Sequence, residues 1–175
     1  ELGLVTGPSG VGKSALIKRL LSRLTPQQCE VVYCHLTHLP SSGLLKLIAT
    51  QLGEAPKRGK DRLYEQILER AQRSEGTLLL IFDEAHLLTL RLLISSALEV
   101  GPPLKILLVG QESLRGTIKR AQHADLLNRV SVRYQLRPLS KEQTAQYVDF
   151  QISQAGGDGK IFGAEVKDLL HDFTG

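Results

Sequence analysis

Eight residues near the start of the chain have the types and spacing of a phosphate-binding loop. They fit the pattern G-x-x-x-x-G-K-[ST] and are, in order, Gly7, Pro8, Ser9, Gly10, Val11, Gly12, Lys13 and Ser14. Glycines let a backbone curl so that successive N–H groups point inward at an anion. Lys13 would then bridge the β- and γ-phosphates of ATP, and Ser14 would be a ligand of Mg²⁺. With Ala15, which opens the next segment, these residues form the predicted ATP-binding site.

Two adjacent carboxylates, Asp83 and Glu84, follow the apolar run 78–82. In open α/β sheets, ligands gather at the carboxyl ends of the strands, which is also where a phosphate-binding loop lies. We therefore predict that Asp83 holds Mg²⁺, through water. Glu84 would polarise the water that attacks the γ-phosphate, so this pair favours hydrolysis over binding alone.

The same turn reads Asp83-Glu84-Ala85-His86, which spells the DEAH motif of some helicases. Those enzymes need a second nucleotide-gripping domain. Residues 87–175 are too few to supply one beside the rest of the fold, so we exclude a helicase. For His86 we predict a local packing or hydrogen-bonding role.

Gln111 and Arg129 are the other candidates for catalytic roles. Gln111 follows the apolar run 106–109 after one glycine, and it can reach the γ-phosphate or the attacking water from a neighbouring strand. Arg129 precedes the last apolar run, where an arginine can project into the nucleotide site of the next subunit. On context alone, a plain turn glutamine and a solvated arginine stay open as alternatives.

Short apolar runs alternate with longer amphipathic segments, a pattern typical of a parallel sheet wrapped by helices. It predicts the α/β class, as a three-layer P-loop domain with a five-stranded parallel sheet. We expect the nucleotide-binding core at 1–137 and a small helical lid beginning at 138–175. The predicted strands are 2–6, 30–34, 77–82, 105–109 and 130–136.

The composition is that of an ordinary soluble domain, with 42% hydrophobic and 23% charged residues among 175. No apolar run approaches the ~20 residues of a membrane span, and no signal peptide opens the chain. These features predict a cytoplasmic protein. A net charge of +4 permits nucleic acid or an acidic membrane surface as a partner but identifies neither.

Taken together, these motifs resemble the bacterial AAA+ ATPases of the ExeA type, the general secretion pathway protein A family, and their relatives, the TnsC/TniB-type transposition ATPases. The Val-Gly-Gln-x-x-Leu-Arg element at 109–115 is the most family-specific part. In such proteins Gln111 matches the sensor position and Arg129 the arginine-finger region. The resemblance covers nearly the whole chain and rests on residues 4–14, 82–88, 90–93, 107–115, 127–130 and 136–140.

The chain departs from that family in three ways. The family has several more residues between the DEAH-like turn and the Leu-Arg-Leu-Leu element than the three at 87–89. The family also has a second sensor, an arginine in a Gly-x-Pro-Arg element, and a segment before the P-loop that often helps to grip adenine. We expect both to lie outside these 175 residues, which predicts weak nucleotide binding and poor hydrolysis by this piece alone.

Two other kinds of protein fit part of the sequence. A nucleoside monophosphate kinase would share the P-loop, but it needs no Asp-Glu pair after a strand and carries an arginine-rich lid that we do not find. A zinc site could use Cys29, Cys34, His35 and His38. However, Cys29 and Cys34 would point to opposite faces of a strand, and their spacing matches no common zinc pattern.

The resemblance implies a homo-oligomer, a ring or a filament, whose order reports the bound nucleotide. It leaves two roles open. One is a motor of a secretion apparatus with envelope or peptidoglycan-linked partners, at the cytoplasmic face of the inner membrane. The other is a regulator of transposition on duplex DNA. The basic residues that could follow a phosphate backbone are Arg115, Lys119, Arg120, Arg129, Arg133 and Arg137.

Overall fold

The structure, a computed structural model, describes residues 1–35, 40–84, 104–118, 128–158 and 161–174. It divides into two compact units, Glu1–Leu136 and Arg137–Gly175. Predictions made for His38, His86, the 87–89 and 90–93 segments, Lys119 and Arg120 fall outside the described residues.

The first unit is built on a five-stranded parallel sheet, as predicted, in the order β2-β3-β4-β1-β5. Each strand begins and ends within one residue of its predicted bounds. The strands are β1 (Leu2–Thr6), β2 (Cys29–His35), β3 (Thr77–Asp83), β4 (Leu104–Gly110) and β5 (Val130–Gln135).

Helices cover both faces of this sheet, which makes the three layers. The helices in the described part of the first unit are α1 (Lys13–Leu21), α2 (Ser41–Gln51), α3 (Lys60–Arg73) and α4 (Glu112–Ile118). The larger core lies on one face, where apolar side chains of α2, α3 and α4 pack against Leu78, Leu80 and Phe82 of β3. On the other face, Ile17 of α1 packs against Ile81 of β3. Burial on both faces explains why the strands are continuous apolar runs.

Among its described residues, the second unit has the helices α5 (Lys141–Gln154) and α6 (Ala164–Thr174). Ser140 begins α5 with a capping box, because its hydroxyl accepts from the Gln143 amide and the Gln143 side chain accepts from the Ser140 amide. Lys141 and Asp172 join the two helices through an ion pair of 3.1 Å. Neither helix has a buried residue, and Phe173, on the apolar face of α6, is 85% exposed.

None of the described helices is both long and apolar enough to cross a bilayer.

Candidate nucleotide site

The predicted phosphate-binding loop joins the end of β1 to the start of α1. Gly10 and Gly12 have positive φ angles of 77° and 97°, which glycine adopts without steric cost. Among the described residues, no atom beyond the adjacent ones lies within 4 Å of a Cβ built at either position, and both glycines are exposed, so the loop faces open space there. Gly12 is also the N-cap of α1, and its carbonyl accepts from the Leu16 amide at 2.9 Å. The loop therefore presents the positive end of a helix to this open space.

Gly7 fixes where the loop leaves the sheet. Its amide donates to the Gly110 carbonyl at 3.3 Å, at the end of β4. A Cβ at Gly7 would lie 2.8 Å from the Leu136 carbonyl oxygen and 2.9 Å from Cγ1 of Val11. Only glycine fits without displacing the backbone that follows β5 or the loop itself.

Lys13 folds over the loop from the first turn of α1. Its Nζ donates to the carbonyl oxygens of Gly7 at 2.9 Å and Pro8 at 2.6 Å. The ammonium group is thereby held beside the open space, where it adds a full positive charge to the partial charge of the helix N-terminus. This arrangement suits the phosphate groups of a nucleotide.

Asp83 is a buried carboxylate at the end of β3, with only 4% of its surface exposed. Its Oδ1 accepts from the Glu84 amide at 3.0 Å, and its Oδ2 accepts from the Tyr33 hydroxyl at 2.7 Å. Nδ1 of His35 lies farther away, 3.9 Å from Oδ2. A carboxylate has about four lone-pair sites, so each oxygen can still bind a water or a cation.

The core beneath α1 shows that Asp83 and the loop are on the same side of the sheet. Ile17 packs with Val5, Ile81 and Val109 on one face. Asp83 lies two residues beyond Ile81 and therefore on that same face of β3, because side chains alternate along a strand. Ser14 lies three residues before Ile17, on the same helical face and one turn nearer the loop. The Ser14 hydroxyl and the Asp83 carboxylate supply oxygen ligands, the kind that Mg²⁺ prefers, so the donor set fits that ion.

Glu84 and Gln111 follow the ends of β3 and β4. In the sheet Asp83 pairs with Val109, and Gly110 pairs with Thr6, so the three strands end at one edge. Both side chains are exposed. Glu84 has a φ of 54°, the one positive value for a non-glycine residue in the described part of the chain. Such strained conformations cluster at functional sites.

Arg129 lies at the opposite edge of the sheet, where the strands begin, whereas the P-loop, Asp83, Glu84 and Gln111 lie where the strands end. It precedes β5, whose first residue, Val130, pairs with Leu2 at the start of β1. The four-residue step from Leu2 to Thr6 is roughly 13 Å at about 3.3 Å per residue. The fold therefore brings the loop, Asp83, Glu84 and Gln111 to one edge and separates Arg129 from them.

The two cysteines of β2 have different surroundings. Cys34 is buried in the larger core, and burial raises its pKa to about 11. Cys29 is half-buried, and burial also raises its pKa, partly offset by the charge of Lys105. The opposite faces predicted for these two thiols are confirmed, because they are an odd number of residues apart on one regular strand.

Tyr33 is the residue at this edge that the sequence analysis missed. Its pKa rises to about 12, first because of burial and then because of its hydrogen bond to Asp83 and the charges of Asp83 and Glu84. The hydroxyl therefore stays protonated and donates at neutral pH. The signal that could have identified it is a polar residue near the end of the strand that pairs with β3. Using this signal requires the order of the strands, which no local sequence motif gives.

Comparisons with known proteins identify relatives of this chain. Residues 1–118 match the family model of an AAA domain. General secretion pathway protein A of Aeromonas hydrophila is 29% identical over 183 residues, covering 98% of this chain and 33% of that protein. An ORC1-type DNA replication protein of Methanothermobacter thermautotrophicus is 31% identical over 83 residues, covering 46% of this chain and 21% of that protein.

A solved structure shares the fold. The ADP form of the Aeropyrum pernix ORC2 protein matches with a TM-score of 0.74 at 16% identity, over 100% of this chain and 52% of that one. The chain therefore spans about a third of the secretion protein and about half of this structure. The match over residues 1–118, more than half of its length, shows that this chain belongs to the AAA domain family of ATPases.

Proposed function

We propose that this domain binds ATP with Mg²⁺ and hydrolyses it to ADP and phosphate. The observation that carries the proposal is the meeting of two groups at one edge of the sheet. One is an open glycine loop with the Lys13 ammonium held over it. The other is a buried carboxylate, Asp83, on the same face as α1.

The loop from Gly7 to Ala15 would bind the phosphates through its backbone amides and the N-terminus of α1. Lys13 would exchange its two neutral carbonyl partners for negatively charged β- and γ-phosphate oxygens, which bind an ammonium group more strongly. Ser14 and Asp83 would hold Mg²⁺, which would neutralise charge between the β- and γ-phosphates when bound.

Glu84 would act as the general base. Its backbone is tied to the metal-site residue, since its amide donates to Asp83 Oδ1 at 3.0 Å. Its exposed side chain is free of the core and can turn toward a water beside the γ-phosphate. Gln111, which follows the strand between β1 and β3, would contact the same water or phosphate and so distinguish ATP from ADP.

Arg129 would act in the site of a neighbouring subunit. It is exposed and lies at the edge of the sheet away from its own P-loop. Its side chain would therefore have to span the length of β1 to contact a nucleotide in its own subunit. A role in trans would make the nucleotide a link between copies of the chain, in a ring or a filament. Arg137–Gly175 would be the beginning of a helical lid subdomain.

Substitution of Glu84 tests the hydrolytic part of this proposal. Glu84→Gln keeps the size of the side chain but removes the base, so we expect ATP binding to persist while turnover falls at least about 100-fold. Phosphate release and nucleotide binding are measured on the same samples. Glu65→Gln, an exposed glutamate of α3, is the matched control and should keep full turnover. Full turnover by Glu84→Gln would remove Glu84 from the mechanism.

The process that the ATPase serves is proposed from its relatives. Because similarity to general secretion pathway protein A covers 98% of the chain, we propose that nucleotide-driven assembly serves a secretion or cell-envelope apparatus, at the cytoplasmic face of the inner membrane. The similarity to an ORC1-type DNA replication protein favours duplex DNA as the alternative partner. The described arginines that could follow its phosphate backbone are exposed: Arg115, Arg129 and Arg133 in the first unit and Arg137 in the second.

Binding of duplex DNA by the full-length Glu84→Gln protein distinguishes these partners. The assay compares ATP with ADP across a salt series. ATP-dependent binding that weakens steeply with salt would indicate a regulator on DNA. The absence of binding in either nucleotide state would favour the secretion role and direct the search to envelope partners.

A further inference from the structure

Tyr33 and Asp83 lie on neighbouring strands of the sheet and are joined by a short hydrogen bond. In the register of β2 and β3, His35 pairs with Asp83, and Tyr33 lies two residues earlier on the same face of β2. The Tyr33 hydroxyl donates to Asp83 Oδ2 at 2.7 Å. Tyr33 is 36% exposed, whereas Asp83 is 4% exposed, so the tyrosine reaches inward to a buried carboxylate.

This bond fixes the orientation of the carboxylate together with a second donor. Oδ1 is held by the Glu84 amide at 3.0 Å. His35 is too far from Oδ2, at 3.9 Å, for a hydrogen bond. Among the residues that the structure describes, Tyr33 is the one side chain seen within hydrogen-bond distance of Asp83.

We propose that Tyr33 is a positioning residue that orients the Asp83 carboxylate for Mg²⁺ and so sets the metal-dependent part of nucleotide affinity. The inference rests on the proposed function, in which Asp83 helps to hold that ion. Residues that hydrogen-bond to a metal ligand fix its geometry, and their loss typically weakens metal binding about 10- to 100-fold. One bond on each oxygen leaves lone pairs on both that can face the ion or its waters.

The test is a Mg²⁺ titration of a fluorescent ATP analogue bound to the full chain. The variants are Tyr33→Phe, which removes only the hydroxyl, and Asp83→Asn. Tyr134→Phe on β5 is the matched control, because it makes the same chemical change at a side chain that is 57% exposed. Binding is also measured with the metal chelated, and thermal unfolding without nucleotide checks that each variant folds.

For Tyr33→Phe we expect the Mg²⁺ concentration that gives half-maximal binding to rise about 10-fold or more. The affinity of this variant for the ATP analogue with the metal chelated should stay at the wild-type value. A merely structural role of Tyr33 would lower that affinity as well. Tyr134→Phe should titrate like the wild type, and Asp83→Asn should lose the Mg²⁺ dependence.

Three results would overturn the inference. If Tyr33→Phe titrates like the wild type while Asp83→Asn loses the dependence, Tyr33 has no positioning role and the proposed function stands. If Tyr33→Phe weakens binding equally with and without Mg²⁺, the tyrosine supports the fold in general. If Asp83→Asn keeps the wild-type dependence, the metal role of Asp83 fails, and the role of Tyr33 fails with it.

Discussion

At the scale of single residues, the site depends on positions where only one kind of residue fits. A Cβ at Gly7 would collide with the backbone of Leu136 and the side chain of Val11. Gly10 and Gly12 need their backbone conformation instead, since a Cβ there would meet none of the described residues beyond their neighbours. The pattern G-x-x-x-x-G-K-[ST] thus combines two different physical demands that look alike in the sequence.

We predict that Gly7→Ala disrupts the loop. The added methyl group would overlap the Leu136 carbonyl at 2.8 Å, and overpacking of this kind costs about 1–3 kcal/mol. We expect a lower melting temperature and weaker ATP binding, because the displaced loop would no longer direct its amides at the phosphates. Thermal unfolding and calorimetry measure the two effects.

The control for this change is Gly116→Ala in α4, where an added Cβ meets no atom within 4 Å. Alanine should stabilise that helix by about 0.5–1 kcal/mol and leave ATP affinity as it was. Wild-type affinity and melting temperature in Gly7→Ala would show that the close approach at Gly7 is not needed.

At the scale of elements, the bounds of each strand could be predicted from the sequence, but the strand that each one pairs with could not. Runs such as that of β3 are apolar on both faces because helices cover both sides of the sheet, and this makes them visible in the sequence. The order β2-β3-β4-β1-β5 is a property of long-range packing. For that reason Asp83 could be predicted as a site residue from its own strand, whereas Tyr33 needed the β2–β3 register.

The helices of the second unit show a different limit. The spacing of Val166, Leu169, Leu170 and Phe173 is typical of a packed helical face, yet these side chains are 38–85% exposed. An amphipathic pattern predicts that a helix forms and which of its faces is apolar. It does not say which element, if any, covers that face within a given unit.

The capping box of α5 leads to a prediction for that unit. Ser140→Ala removes an acceptor for the Gln143 amide and should destabilise the first turn of α5 by about 1 kcal/mol. Hydrogen exchange of the amides in that turn reports the loss. Ser153→Ala, within the same helix, removes a hydroxyl bonded to the Asp149 carbonyl and should change little, because alanine favours helix. Equal effects of the two substitutions would argue against a role for the cap.

At the scale of the whole molecule, we propose that the nucleotide site of one subunit is completed by a neighbouring subunit. The P-loop edge would hold the nucleotide, and the opposite edge, with Arg129, would face the nucleotide of a neighbour. The AAA domain match establishes the family, whereas the process served stays a proposal, since the chain spans only 33% of its secretion relative.

Nucleotide affinity of the full-length wild-type protein and of its Lys13→Ala variant, measured by calorimetry with ATP and Mg²⁺, tests the central claim most directly. Lys18→Ala is the matched control, because Lys18 is an exposed lysine of the same helix, farther from the loop. The account predicts one ATP per chain for the wild type and for Lys18→Ala, and binding at least about 100-fold weaker for Lys13→Ala, which lacks the charge held over the phosphate cradle. Equal affinity in Lys13→Ala and the wild type would contradict the account.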